Sequence, residues 1–447
     1  MRRERVKYRM CRAGREKRPP VWKGRCVAVM KDIREKAWKQ KQWVTLLILT
    51  SANVAVYANI QGFMALLPMV QEEFLISRAQ VGLYSSFYFM SAALISVFSG
   101  RIVDRLGTKR GLVLGVTVVG IMIFLHSLSP FFGFLLILAF FTGIAYSIIT
   151  PAVNRGVLEV SEPSKRGFSM GIVHGGGGFG GFIGAAILPF LGEIVGWRTA
   201  LLFGSIFAVM IALFISWLYR PGFAQNENKN DSSPEGRSTS LKEDLLLFLR
   251  NRYLLCICMM GIAFGMSISS ITGHFPLYLS QDLGYSVTFA GLGLGIFHIG
   301  GIAGQPFWGL INENVFHGDR RKGLFTLGVL IAGLILFFGL VVSRFPFPPY
   351  AILLFSFLLG FCAMGVIAIY FTAIVELVSN KHIGMITGIA LIFPRTSTML
   401  TPPLFGLIAD LRGAYSSSWI ILGTIVLFFT VAFLYFSGKY SRFSSEH

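Results

Sequence analysis

RPGFAQNENKNDSSPEGRSTSLKEDLLLFLRN, residues 220–251, is the only long polar stretch downstream of a basic N-terminal tail. Asn, Ser, Gly and Pro dominate it, the composition of a flexible linker. On either side the chain is apolar in runs long enough to cross a bilayer, which takes roughly 20 such residues. Six runs precede the linker, near 43–68, 80–99, 111–128, 131–154, 167–191 and 198–218. Six follow it, near 252–279, 287–311, 323–343, 350–375, 383–408 and 417–438. Helices are the expected conformation, because in lipid each backbone amide must be satisfied within its own segment and nothing here alternates like a barrel strand.

Composition supports that reading. Only 14% of the 447 residues are charged and 54% are hydrophobic, whereas a soluble domain carries about 25% charge. The expectation is an all-α polytopic membrane protein, with twelve transmembrane helices in two pseudo-symmetric six-helix bundles. Its domains are a basic tail (1–42), an N-terminal bundle (43–218), the linker (219–251), a C-terminal bundle (252–438) and a short tail (439–447). Lys and Arg set the orientation. With the N-terminus cytoplasmic, inner loops and C-tail hold nineteen and outer loops four, namely Arg78, Arg198, Arg344 and Arg412. Both termini are therefore expected on the cytoplasmic side of a cell membrane.

The tail holds sixteen basic and four acidic residues, so it supplies twelve of the net +19. Such juxtamembrane charge fixes topology and touches anionic lipid, so nucleic acid is not an expected partner. The stretch before Met30 reads as low in structure, and translation from Met30 is one reading of it. The first apolar run is too long for a cleavable signal and ends without a small-residue cleavage site. Cys11 and Cys26 lie in the tail, and Cys256, Cys258 and Cys362 in apolar runs, so neither a disulfide framework nor a metal cluster is expected. No cofactor is implied. Nor is an enzyme, since no metal-ligand set or nucleophile–base pair is visible.

The halves resemble each other. At an offset of 217, Gly143 matches Gly360, Glu159 matches Glu376, Gly167 matches Gly384 and Gly171 matches Gly388. Internal duplication of this kind builds many transporter folds, with the site at the interface of the repeats. GRIVDRLGTKR (100–110), between the second and third spans, resembles the signature loop of the major facilitator superfamily through Gly100, Asp104, Arg105, Gly107, Lys109 and Arg110. A stretched copy follows the eighth span in GLINENVFHGDRRKG (309–323), where Gly309 and Glu313 keep the spacing. The resemblance implies a cytoplasmic latch between the bundles, made by Gly100, Asp104, Arg105, Gly107, Arg110 and Glu313, with Glu159 and Glu376 in the same ion-pair layer. A purely topogenic charge cluster is the alternative. Arg155 belongs to the same charged layer.

In the fifth span, GIVHGGGGFGGFIGAA (171–186) repeats small-xxx-small spacing at Gly176/Gly180, Gly177/Gly181 and Gly180/Gly184, the pattern of closely packed helices. It partly resembles the superfamily's antiporter motif through Gly171, Gly180 and Gly184, but the residues that should follow are replaced, so no antiport is inferred.

LIFPRTSTML (391–400) places Arg395 about 12 residues into the eleventh span, roughly 18 Å deep at 1.5 Å per residue. A guanidinium there costs on the order of 3 kcal/mol, and no acidic residue lies deep in any span. The counter-ion is then the substrate, an anion. Two alternatives stay open: Arg395 caps carbonyls freed by Pro394, or the span boundary lies elsewhere. Snorkelling is excluded by depth. His298 lies at similar depth in the eighth span. In carboxylate carriers of the superfamily, such as oxalate/formate antiporters and monocarboxylate carriers, the resemblance implies basic residues in these two spans holding a carboxylate. This chain has His where that pattern has Arg, and His298 could also carry a proton, as could His174.

The resemblance further implies that spans one, four, seven and ten line the path. Their polar residues are Asn53, Tyr57, Asn59, Gln61, Tyr146, Thr150, Asn154, Ser270, Thr272, His274, Tyr370 and Thr372. Tyr57, Tyr146, Asn59 and Tyr370 join Arg395 and His298 as substrate-binding candidates, with helix–helix contact as the alternative for each. The resulting expectation is a monomeric secondary active transporter. It would move a small organic anion by alternating access, coupled to a proton or a counter-transported anion. A proton-coupled drug or cation exporter and a membrane sensor of the same fold are the other readings.

Overall fold

The computed structural model describes residues 20–162, 165–219, 248–377 and 383–444. They form twelve long helices and no strand. The first half holds α1 (Pro20–Phe74), α2 (Arg78–Leu106), α3 (Thr108–Ser127), α4 (Phe132–Val160), α5 (Arg166–Val195) and α6 (Trp197–Leu218). The second holds α7 (Arg252–Leu277), α8 (Val287–Asn314), α9 (Arg320–Phe337), α10 (Pro349–Glu376), α11 (Ile383–Arg412) and α12 (Tyr415–Ser444). α7 and α9 each run on into one π-helical turn, Tyr278–Asp282 and Phe338–Val342. Among the described residues, ten helices are long and apolar enough to cross a membrane, or eleven when the two parts of α2 are joined. α11 is of similar length but carries Arg395 and three internal prolines.

Local chemistry fixes the helix starts. Ser77 and Gln80 form a reciprocal capping box on α2. Asn251, Ser286 and Asp319 accept from first-turn amides of α7, α8 and α9. Gly107, at φ +79°, turns α2 directly into α3, a conformation that L side chains resist. One expectation fails in the tail: residues 20–29, read as low in structure, are helical and continuous with α1. Nothing between Pro20 and Pro68 breaks a helix, and Lys, Arg, Glu, Gln and Ala propagate one. Residues 1–19, the linker residues 220–247, Lys381 and residues 445–447 lie outside the described residues.

With helices alternating in direction, the bundle has two ends. The near face carries the α2–α3, α4–α5, α8–α9 and α10–α11 connections; the far face carries α1–α2, α3–α4, α5–α6, α7–α8, α9–α10 and α11–α12. Within the first half, α5 packs along α1 and α2 along α4. The glycine run of α5 makes the first contact possible, since a methyl at Gly184 would sit 1.8 Å from the Ala58 carbonyl oxygen and one at Gly180 2.4 Å from that of Val54. The halves meet along two seams, α2 with α11 and α5 with α8. Outward faces are apolar: Trp217, Leu213, Phe428 and Tyr435 are all exposed. A surface that greasy belongs in lipid.

Candidate functional site

A cavity of about 640 Å³ lies between the halves, from mid-depth toward the near face. α1 contributes Tyr57, α2 the stretch from Phe89 to Gly100, and α4 the stretch from Tyr146 to Asn154. From the other half, α7 lines it between Gly261 and Ile268, α10 between Val366 and Phe371, and α11 between Leu391 and Thr398. Among the described residues, Arg395 is the only charged side chain in this wall, and no carboxylate lines it. The guanidinium donates to Ser96 Oγ of α2, across the seam between the halves. Ser96 gives its own proton to the Ala93 carbonyl at 2.8 Å, so its oxygen is free to accept.

Pro394 supplies no N–H, which leaves the Ala390 carbonyl, four residues back, without its helical donor. Arg395 does not take that carbonyl. Tyr370 does, donating its hydroxyl to Ala390 O at 3.0 Å. Pro403 likewise frees the Met399 carbonyl, and Ser86 of α2 fills it at 2.5 Å. Two of the three prolines of α11, Pro394 and Pro403, are thus serviced by hydroxyls from neighbouring helices, the usual condition for proline inside a span.

Tyr57 and Tyr146 both line the cavity and share a hydrogen bond of 2.7 Å between hydroxyls. One proton makes that bond, so the pair retains one further hydroxyl donor. Tyr370 lines the wall too, but its proton is committed to Ala390. Asn154 and Thr150 are in the lining. Asn154 Oδ1 meets His174 Nε2 at 2.8 Å, which puts His174 one residue removed from the cavity.

The other candidates lie elsewhere. His298 is 1% exposed, outside the lining, and walled in against Gly181 of α5; its Nε2 has no protein partner. It does not join Arg395 in the cavity, because α8 packs on α5 and α10 there instead of facing the space between the halves. Asn59 is buried against Gly204 of α6, its amide donating to Ala55 O at 2.8 Å. Asn53 donates to Val173 O at 2.8 Å. Gln61, Ser270, Thr272 and His274 are buried in the halves, and Thr372 bonds Ala368 O within α10. Ser96 and the rest of the α2 wall were missing from the reading of the sequence. The small-residue pattern of SAALISVFSG (91–100) is the one signal that marked this face.

On the near face the signature acids pair inside their own halves. Arg155 of α4 bridges Asp104 at 3.2 Å and Glu159 at 3.1 Å. Glu159 also accepts from Thr108 at 2.8 Å and from Tyr219 at 3.1 Å. In the second half, Arg320 of α9 bridges Glu313 at 2.6 Å and Glu376 at 2.7 Å. The acids repeat between halves while the cation moves from α4 to α9. Arg105 and Arg110 are exposed. Gly100, expected in the latch, borders the cavity, and a methyl there would meet nothing within 4 Å.

The sequence pattern of the Major Facilitator Superfamily matches residues 49–280 and again 257–445, once for each half. The hexuronate transporter of Bacillus subtilis (strain 168) is 26% identical over 410 residues, covering 88% of this chain and 93% of that one. The probable sulfoacetate transporter SauU of Cupriavidus necator is 22% identical over 385 residues, covering 80% and 85%. Among solved structures, a bacterial homologue of the human lysosomal transporter Spinster, inward-facing and unoccupied, superposes with a TM-score of 0.71 at 16% identity, over 90% of this chain and 97% of that one. With its duplicated halves, its signature loops and a cavity on the seam between them, this chain is a multi-pass membrane protein that belongs to the Major Facilitator Superfamily.

Proposed function

We propose that this transporter carries a small organic anion with a single negative group, which Arg395 receives. One observation carries the reading: among the described residues, Arg395 is the sole charge on the wall of the central cavity, and its one side-chain hydrogen-bond partner there is a neutral hydroxyl. A guanidinium cannot shed its charge by deprotonating, and it presents a fork of donors that matches a carboxylate or sulfonate. One cation neutralises one anionic group; a second would be left uncompensated. The hydroxyls of Tyr57, Tyr146 and Thr150, which bond one another, and the Asn154 amide stand in the same cavity to bond oxygens on the substrate body. Hexuronate, named for the Bacillus relative above, is a sugar acid with one carboxylate. A cation exporter would need a carboxylate in this wall. The protein works by alternating access in a cell membrane, with the near face cytoplasmic, where the basic residues concentrate.

The test is uptake by the purified protein in liposomes, over a panel of singly charged sugar acids and sulfonates beside neutral sugars and cationic drugs. Losing a charge-assisted hydrogen bond of roughly 1.5–3 kcal/mol should weaken anion binding by about 10- to 150-fold in Arg395→Gln. Arg395→Lys, which keeps the charge and loses the fork, should fall between. Transport of a confirmed anion that is indifferent to Arg395→Gln would end the proposal, as would a wild-type protein that moves only cations.

A further inference from the structure

On the far face, two acids at the ends of helices reach across to the opposite half. Asp410, near the C-terminus of α11, accepts from the backbone amides of Arg78 at 3.0 Å and Ala79 at 2.9 Å, the first residues of α2. Glu193, near the C-terminus of α5, accepts from the backbone amide of Thr288 at 2.9 Å and its hydroxyl at 2.6 Å, in the first turn of α8. Asp410 and Glu193 are 217 residues apart, the offset of Gly384 from Gly167 at the other ends of the same helices. Thr288 and Ala79 are 209 apart, the offset of Glu313 from Asp104 in the signature loops. The two contacts are therefore one contact, made twice by the internal duplication. Each puts a carboxylate on the amide end of a helix, where unpaired N–H groups and the helix dipole favour it.

The α2–α11 seam is further tied by the Arg78 side chain, which pairs with Asp282 at 3.3 Å, donates to Ala409 O at 3.1 Å and lies 4.6 Å from the centre of the Tyr415 ring. All of these join residues of one half to residues of the other. The signature acids on the near face do not cross.

We propose that Glu193 and Asp410 are reciprocal cross-half helix caps that hold the far face shut, and that both must let go before the cavity can open on that side. The inference does not depend on what is carried. Opening would leave each carboxylate and each helix start to water, so every cap biases the same rigid-body equilibrium.

The experiment uses spin-label pairs in the full-length protein, with Cys11 and Cys26 replaced by Ser. Leu128 and Phe345, both exposed on the far face and related by the 217 offset, report its opening; Leu158 and Val375, related in the same way, report the near face. Glu193→Ala and Asp410→Ala should each raise the far-open population about 5-fold, and the double variant about 25-fold. Glu193→Gln and Asp410→Asn, which keep an acceptor oxygen, should shift it less. Far-face lengthening should come with near-face shortening, as rocking of two rigid halves requires. A double variant with wild-type far-face distances overturns the proposal. So does a far face that widens while the near-face distance stays put or only broadens, because that is local fraying or loss of fold.

Discussion

Removing one hydroxyl separates a structural role from a binding role at the edge of the cavity. Tyr370 lines the cavity, yet its O–H donates to the Ala390 carbonyl that Pro394 has deprived of a helical partner. Ala390 is fully buried, so water cannot substitute easily. In Tyr370→Phe that carbonyl loses its donor. An orphaned buried acceptor costs roughly 1–3 kcal/mol in soluble proteins, whereas hydrogen bonds inside a membrane protein average about 0.6 kcal/mol in double-mutant cycles. The expected loss is therefore near the bottom of the first range, about 1 kcal/mol, read from equilibrium unfolding in an SDS titration. Anion affinity should stay within about twofold, because a proton already given to Ala390 was never offered to a ligand. Pro394→Ala supplies the control. It returns an N–H to the carbonyl four residues back, so Tyr370→Phe should cost close to nothing in that background. An unchanged unfolding curve with a tenfold fall in affinity would refute the reasoning and make the hydroxyl a ligand.

Two further outcomes follow from contacts. Gly184→Ala would drive a methyl to 1.8 Å from the Ala58 carbonyl oxygen and should cost about 1–3 kcal/mol as α1 and α5 part. Gly175→Ala on the same helix meets nothing within 4 Å and should be neutral or stabilising by up to about 1 kcal/mol, so equal effects in the SDS titration would discredit the packing assigned to α5. Ser96→Ala removes the neutral partner of Arg395 and should tighten anion binding by about 2- to 5-fold, since the ligand no longer competes with a hydroxyl worth roughly 0.5–1 kcal/mol. Isothermal titration would measure it, and a tenfold weakening would instead make Ser96 part of the ligand shell.

Much of the fold was legible because in a membrane the length of an apolar run, the polarity of a linker and the placement of Lys and Arg are each set by the solvent. The six runs on either side of the polar stretch reappear as α1–α6 and α7–α12. What the runs do not encode is how far a helix continues into water. α1 begins at Pro20 and α4 reaches Val160, because ordinary helix propensity carries them on after hydropathy stops reporting. The seams were hidden for a different reason. A contact between α2 and α11, or between α5 and α8, joins residues more than 90 positions apart, and only small residues hint at it. The reciprocal caps were invisible in the sequence, where Glu193 and Asp410 are simply two of the acids that do not lie deep in a span.

Arg395 and His298 show where depth ceases to predict a site. Both lie about twelve residues into their helices, and both were expected at the substrate. Their chemistry permits different fates. Imidazole has a neutral form with an apolar ring and can be walled in, which is what Gly181 allows by leaving room for the ring. Guanidinium has no neutral form at accessible pH and must keep contact with a polar space. Of two basic residues at one depth, the arginine is the one whose burial the membrane makes costly, so its position carries information that the histidine's does not. The same logic sorts the tyrosines: Tyr370 is fixed by a proline-freed carbonyl, while Tyr57 and Tyr146 bond each other, and Tyr146 bonds Thr150, in hydroxyl-to-hydroxyl contacts that can be re-aimed at a ligand. Residues whose protein partners do not exhaust their charge or their donors are the ones the cavity has kept for a ligand.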